Sequence, residues 1–332
     1  MNEPILYKTP QVSVVLPVYN GGQYLQQSVQ SVLNQELTNF ELLIIDDCST
    51  DGSLQYLQSL QDNRIQLFTN ERNRGLFYNL NFLIGKSKAG LIKLWAQDDV
   101  MFSFCLNRFV DFFEQYPAIG FIYSQRDIID EGGNIIRRGT VDNTPFILTP
   151  HMHAAIAYYN GSIAGNISSV CLSKLALEKV GPFNEEMKIS ADFDMWVRLA
   201  RHYDTGFISD HLLQLRDHPG QLSRDELLYF YHLKEDLQVY RYLDSYMPGP
   251  LKLEGKKLMR HHKLAFYYTL MIKALLKGRV NTAYRFYKAL AGYDNFIRLT
   301  MGFMESKMSN RAPVDFLEKF KEENIGSSDK TT

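Results

Sequence analysis

Cysteine is scarce in this 332-residue sequence: Cys48, Cys105 and Cys171 are the three, far apart and odd in number. They supply neither a metal-ligand spacing nor a disulfide framework, so a reducing, cytoplasmic compartment is the plain reading. Long apolar runs are missing too. The longest, Leu264–Ile272, spans nine residues and is closed by Lys273, whereas a membrane-spanning helix needs about 20. Met1–Pro10 has Glu3, Pro4 and Lys8 and no apolar run, so no secretory signal is read there. Charge of one sign is not in excess: the formal net charge is −1, and the whole-chain balance points to no partner. Finally, Pro17–Gly22 stands where a nicotinamide dehydrogenase would carry its Gly-x-Gly-x-x-Gly turn. A Gly-rich phosphate loop with Arg and Lys, as a sugar nucleotidyltransferase would need, is also lacking.

What is present reads as a soluble globular protein, with 45% hydrophobic and 22% charged residues, long enough for a large domain and a smaller one. Strand and helix signals alternate over the first hundred residues. Val12–Leu16, Glu41–Ile45, Ile65–Phe68 and Leu91–Ala96 read as buried strands. Tyr24–Leu33, Ser53–Leu60 and Leu76–Ile84 read as the intervening helices. This order predicts right-handed βαβ units and an open, mostly parallel sheet, with ligands beyond the carboxyl ends of the strands. Two of those strands run into paired acids, Asp46-Asp47 and Asp98-Asp99.

From Phe104 to about Leu222 the pattern is mixed: a helix over Leu106–Glu114, strands over Gly120–Ser124 and Ser168–Leu172, and helices over Ser173–Val180 and Ala191–His202. Beyond Arg224 the chain reads as successive helices, with Leu264–Ala291 forming a hairpin broken at Gly278 and Glu322–Thr332 a polar tail. Two regions are therefore expected, 1–223 and 224–332.

Specific motifs lie on this framework. The run from Val12 through Pro17, Tyr19, Asn20, Gly21 and Gly22, continuing to Leu25, Ser28, Ser31 and Gln35, is followed by Leu43–Ser53 with its Asp46-Asp47 pair. Asn73-Arg74-Gly75 with Asn79, then Gln97-Asp98-Asp99, come next. Gly181–Glu185, Ala191–Arg198 and Arg216–Ser223 complete the order. Together these resemble glycosyltransferase family 2, the inverting enzymes with the GT-A fold, over about residues 10–223. The resemblance implies an α/β fold, a Rossmann-like mixed sheet flanked by helices, here with a C-terminal all-α extension. It implies transfer of a sugar from a UDP-, GDP- or dTDP-sugar to a hydroxyl acceptor, in glycan or surface polysaccharide assembly. A nucleotide-sugar-binding module without catalysis is the alternative.

The resemblance assigns roles residue by residue. Asp46 and Asp47, with Pro17 and Tyr19, are expected at the nucleoside, although an Asx-type turn also suits the acids. Asp98 and Asp99 are expected to hold Mg²⁺ or Mn²⁺, as hard carboxylates suit such ions. His218 is expected at the metal or a phosphate, with a turn residue before Pro219-Gly220 as the alternative, and Arg216, with Arg74, at the diphosphate, with a surface cation as the alternative for Arg74. Asp192 is the expected general base and Asp194 its substitute, although both acids also suit the positive end of a helix capped by Ser190. Trp196 reads as core packing. Three positions depart from the usual pattern: Cys48 stands for Gly, Ala96 for Asp and Ala191 for Glu.

The helical region carries an uneven charge. Between Leu251 and Leu290 stand ten Lys or Arg and one acid, Glu254, with Phe266, Tyr267, Tyr268, Tyr284, Phe286 and Tyr287 interleaved. This suits an anionic membrane surface, here the inner face, and a lipid-linked acceptor. No nucleic-acid module accompanies it, and a solvated basic face remains the bland reading.

Overall fold

The computed structural model describes residues 9–139, 144–221, 228–247 and 249–308. The boundary near Arg224, the first residues and the tail Glu322–Thr332 lie outside the described residues. The chain divides into two compact units, Met1–Thr149 with Ala164–Arg224, and Pro150–Ile163 with Asp225–Thr332.

In the first unit, β1 (Val12–Val18), β2 (Phe40–Asp46), β3 (Ile65–Thr69) and β4 (Leu91–Leu94) alternate with α1 (Leu25–Leu33), α2 (Ser53–Ser59) and α3 (Leu76–Lys86). The strands run parallel in the order β3-β2-β1-β4. Val12, Val14, Val15, Leu42, Leu43, Ile44 and Ile92 are fully buried, because helices cover both faces of a parallel sheet. The sheet then becomes mixed. After β5 (Val100–Met101), α4 (Cys105–Gln115), β6 (Phe121–Ile129), β7 (Ile135–Arg137) and β8 (Ile147–Leu148) comes α5 (Pro150–Asn160) of the second unit. The chain returns through β9 (Val170–Ser173), α6 (Lys174–Val180), α7 (Ala191–His202) and β10 (Thr205–Arg216). β9 lies antiparallel between β4 and β6.

β10 has no counterpart in the sequence reading. It pairs parallel to β6, with register shifts around His211. The polar Ser209-Asp210-His211 stretch breaks its apolar alternation, and bulges absorb that break. The register carries Arg216 to the carboxyl end of β6, and β10 also pairs antiparallel to the short β5.

The second unit is helical: α5 joins α8 (Tyr229–Tyr246), α9 (Gly249–Met259), α10 (Ala265–Leu276), α11 (Val280–Ala291) and α12 (Phe296–Met308). A π-helical segment, Arg260–Leu264, runs α9 into α10. The α10–α11 hairpin turns at Gly278, whose φ of +70° lies in the region glycine favours. Gly255 is needed for a different reason: a Cβ there would stand 2.5 Å from the Tyr158 ring on α5. None of the described helices is long and apolar enough to cross a membrane.

Acids on α8 neutralise part of the basic excess. Lys263 pairs with Asp236 (3.1 Å), and Lys256 with Asp244 (2.8 Å). Tyr158 and Tyr267 donate hydrogen bonds to the same two carboxylates. On α5, burial pushes the His153 imidazole down to about 3. Its folded pKa lies below its unfolded one, so the stability it provides is complete above about pH 6.5 and is lost as pH falls towards 3. Unfolding free energies from urea titrations between about pH 7 and pH 4 should fall at up to about 1.4 kcal/mol per pH unit from this group. His153→Gln should flatten that slope, and equal slopes in both proteins would refute the assignment.

Candidate active site

The loops after β1 and β2 are tied to each other by side chains. Asn20 N–H donates to Ser49 Oγ (2.9 Å), Gly21 N–H to Ser53 Oγ (2.9 Å) and Gly22 N–H to Asp51 Oδ2 (2.8 Å). Thr50 N–H returns a bond to Asn20 Oδ1 (2.8 Å). Cys48, at the position where the motif usually has Gly, sits at φ +66°, which explains the usual preference. It is an exposed free thiol, whereas Cys105 and Cys171 are buried.

The two acids of the first pair face different surroundings. Asp47 is nearly saturated: Asn70 Nδ2 and Arg74 N–H donate to Oδ1 (2.7 and 2.8 Å), and Gly75 N–H to Oδ2 (2.9 Å). It fixes the turn that precedes α3. Asp46 accepts from Ser49 N–H at Oδ2 (3.0 Å), while its buried Oδ1 has no hydrogen-bond partner among the described residues. An unsatisfied buried acceptor costs about 1–3 kcal/mol. Arg74 is exposed, with its guanidinium 4.0 Å from the Tyr78 ring centroid. Pro17 is near the carboxyl end of β1, paired in register with Ile45, and Tyr19 is exposed just beyond it.

Gln97, which the motif contains but composition gives no role, is the link to the second acid pair. Its Oε1 accepts from Tyr19 N–H (2.8 Å) and its Nε2 donates to Tyr19 O (3.1 Å). Asp98 and Asp99 follow in the tight connection from β4 to β5. His218 Nε2 lies 3.0 Å from Asp98 Oδ2, both side chains remain partly exposed, and the Tyr24 ring lies against the imidazole at 4.9 Å. Asp99 is turned inward, 1% exposed, accepting from Ser168 Oγ (2.6 Å) and Arg216 N–H (3.0 Å). Burial, with the charge of Asp98 added, pushes its carboxyl up to about 8 despite those bonds and nearby Lys93. Of the expected metal residues, the structure thus brings Asp98 and His218 together and holds Asp99 behind them. One carboxylate and one imidazole, both reachable, fit a divalent cation that takes its other ligands from water and phosphate. No group of three or more candidate metal ligands occurs among the described residues.

Arg216, expected at the diphosphate, is held inside the fold. It is 2% exposed, and its guanidinium donates to the carbonyls of Asp98 (3.0 Å), Asp130 (3.0 Å) and Glu131 (3.2 Å) and to Gln27 Oε1 (2.6 Å). The Tyr24 ring lies 4.6 Å from it. It is a clamp on the acid pair. Ser168 extends the clamp by accepting from Ala96 N–H (3.1 Å). Below it the fully buried Lys93 donates to the carbonyls of Ser168 and Leu94, and burial lowers its pKa.

Asp192 and Asp194 occupy the first turn of α7, and Ser190 takes the N-cap position without a capping bond from its side chain. Asp194 is paired with Arg198 (2.8 Å), which in turn donates to the carbonyls of Val180, Gly181 and Pro182. Asp192 Oδ1 accepts from Phe193 N–H (2.6 Å). Ala191 is fully buried, so its position packs against the core. Trp196 is core as well, stacked on Phe121 and edge-on to Phe183.

Comparison with known proteins identifies the family and the fold. The family described as Glycosyl transferase family 2 matches residues 13–178, half of the chain. A glycosyltransferase of Haemophilus influenzae is 26% identical over 64% of this chain and 68% of its own length. A chondroitin synthase of Escherichia coli is 26% identical over 59% of this chain, which spans only 27% of that protein. Among solved structures, S. aureus TarS 1-349 in complex with UDP-GlcNAc superposes with a TM-score of 0.65 at 16% identity, over 85% of this chain and 80% of that one. The mannosyltransferase PcManGT from Pyrobaculum calidifontis, in complex with GDP-Man and Mn²⁺, gives 0.54 at 14% identity, over 90% and 88%. With the family matched across the parallel half of the sheet and both acid pairs, and the GT-A fold around them, this chain belongs to glycosyl transferase family 2.

Proposed function

We propose that the chain is an inverting, divalent-metal-dependent transferase, acting in the cytoplasm, that moves a sugar from a UDP-, GDP- or dTDP-sugar to a hydroxyl of a glycan or lipid-linked acceptor. The observation that carries this reading is the reachable Asp98–His218 pair, held by the Arg216 clamp at the carboxyl end of β4. The relative named chondroitin synthase supports a role in polysaccharide assembly. The neighbours bound to UDP-GlcNAc and to GDP-Man with Mn²⁺ support the donor class and the metal. Chemistry is assigned to the first unit. Partner contacts, including an anionic membrane surface against 251–290, are assigned to the helical region 224–332.

Each residue then has a task. The unpartnered Asp46 Oδ1 accepts a donor N–H or O–H of the nucleoside, with Asp47 fixing the loop beside it and Tyr19, next to Pro17, offering an exposed ring. Arg74, exposed, reaches the diphosphate. Asp98 and His218 would hold Mg²⁺ or Mn²⁺, which supplies neutralising charge to the leaving diphosphate. Asp99 and Arg216 keep Asp98 in position. Asp192 takes the proton of the acceptor hydroxyl as that oxygen bonds to the anomeric carbon. The bond from that carbon to the diphosphate oxygen breaks on the opposite face, and its electron pair leaves with the diphosphate. One displacement inverts the centre. A binding module without catalysis is disfavoured, because Asp98, His218 and Asp192 are all present.

A thermal-shift screen against UDP-, GDP- and dTDP-sugars, with Mn²⁺ and then with EDTA, tests the reading. Donor at 100 times its Kd should add about 2.7 kcal/mol of stability, for one nucleotide class and only with metal. A shift that survives EDTA removes the metal from the proposal. Absence of any shift in folded protein removes the donor site.

A further inference from the structure

The second unit narrows where a membrane could be engaged. Of the ten cations in 251–290, Lys256, Arg260 and Lys263 are spent on Asp244, Asp294 and Asp236. Lys252 donates to the Asp244 carbonyl. Of the six interleaved aromatics, Tyr267, Tyr268 and Phe286 are core. Most of 251–264 is therefore structural, and the uncommitted charge lies further along the chain.

It lies on the α10–α11 hairpin. From Leu275 to Val280 every residue is exposed, and Leu276 is 82% exposed. Leu275, Leu276 and Val280 are large apolar side chains presented to water at a turn, with Lys273, Lys277 and Arg279 between and beside them. Tyr284 and Tyr287 follow on α11 at helical spacing, both exposed. No acid occurs from residue 255 to residue 293. Exposed leucines at a turn lack a stability rationale, and apolar tips ringed by cations and tyrosine suit the boundary of an anionic bilayer.

We infer that the Leu275–Val280 turn is a membrane-docking tip, inserting Leu275, Leu276 and Val280 into the acyl boundary while Lys273, Lys277 and Arg279 meet anionic headgroups. The inference rests on the membrane partner proposed above and fixes its contact to six residues. It is independent of the donor site in the first unit.

Vesicle co-sedimentation of the full chain tests it, using phosphatidylcholine alone and phosphatidylcholine mixed with phosphatidylglycerol. Binding should require the anionic lipid and weaken with salt. Lys277→Ala with Arg279→Ala should lower the partition coefficient about 30-fold, at about 1 kcal/mol per cation. Leu276→Trp should keep binding and show a blue-shifted indole emission only with anionic vesicles. All three positions are exposed, so folding is not at stake, and the donor-induced thermal shift should stay that of the parent protein. Binding to neutral vesicles alone, or none to either, overturns the inference, as does an indole that stays in water while the protein pellets. Light scattering without lipid reads the competing case, self-association through the exposed Ile297, Met301, Met304 and Met308 of α12. Pelleting that tracks such association, unaffected by the cation substitutions, also overturns it. A failed vesicle assay with an intact donor shift refutes the tip alone.

Discussion

Asp192→Asn is expected to lower transfer by about 10²–10⁴-fold while leaving the donor Kd nearly unchanged, because a general base contributes that much in the transition state and nothing to holding the nucleotide. The amide is nearly isosteric, so the bond from Phe193 N–H survives and the first turn of α7 keeps its shape. The companion substitution is Asp194→Asn. Asp194 holds Arg198 at 2.8 Å, and Arg198 fastens the Val180–Pro182 carbonyls to α7. Its loss should appear as lowered thermal stability with much smaller loss of turnover per folded molecule. Single-turnover rates with saturating donor, alongside donor titration by thermal shift, separate the two. If Asp192→Asn keeps most of its activity and Asp194→Asn does not, the base is Asp194.

The parallel half of the fold was legible because its physics is local. β1, β2 and β4 are mostly apolar runs, interrupted by Ser13, Glu41 and Lys93, as strands covered on both faces tend to be, and β1 and β2 end at a turn signal or an acid. The α10–α11 hairpin was legible for the same reason, with Gly278 supplying the left-handed turn. β10 was not, since its middle is polar and its pairing is decided by β6, β5 and β8, which are distant in sequence. The site divides along the same line. Motif order singled out Asp46, Asp47, Asp98, Asp99, Asp192, Arg216 and His218 as candidates, but not which of them face outward. Orientation came from Ser168, Gln27 and Gln97, ordinary polar residues whose importance depends on partners many positions away. For the basic stretch the charge count was legible but its pairing was not, because the partner acids Asp236 and Asp244 lie on α8, outside any local window.

Arg216 is where that difference can be measured. Arg216→Met should cost about 3 kcal/mol of stability in the absence of any ligand. The carbonyls of Asp98, Asp130 and Glu131 would each lose a buried donor, at about 1 kcal/mol or more apiece. For a unit of this size that is a fall in Tm of about 6–12 °C. Arg216→Lys should be intermediate, since a single ammonium cannot span acceptors arranged for a planar fork. Donor binding should weaken in both variants, because the Asp98 backbone loses its hold and the Asp98–His218 pair loosens with it. A cation that merely touched the diphosphate from the surface would behave otherwise: the free protein would melt with the parent, and only donor affinity and turnover would fall. Melting curves of the free protein therefore decide between clamp and contact. A drop of several degrees without donor establishes that Arg216 acts on the site from within the fold, and an unchanged Tm returns it to the diphosphate.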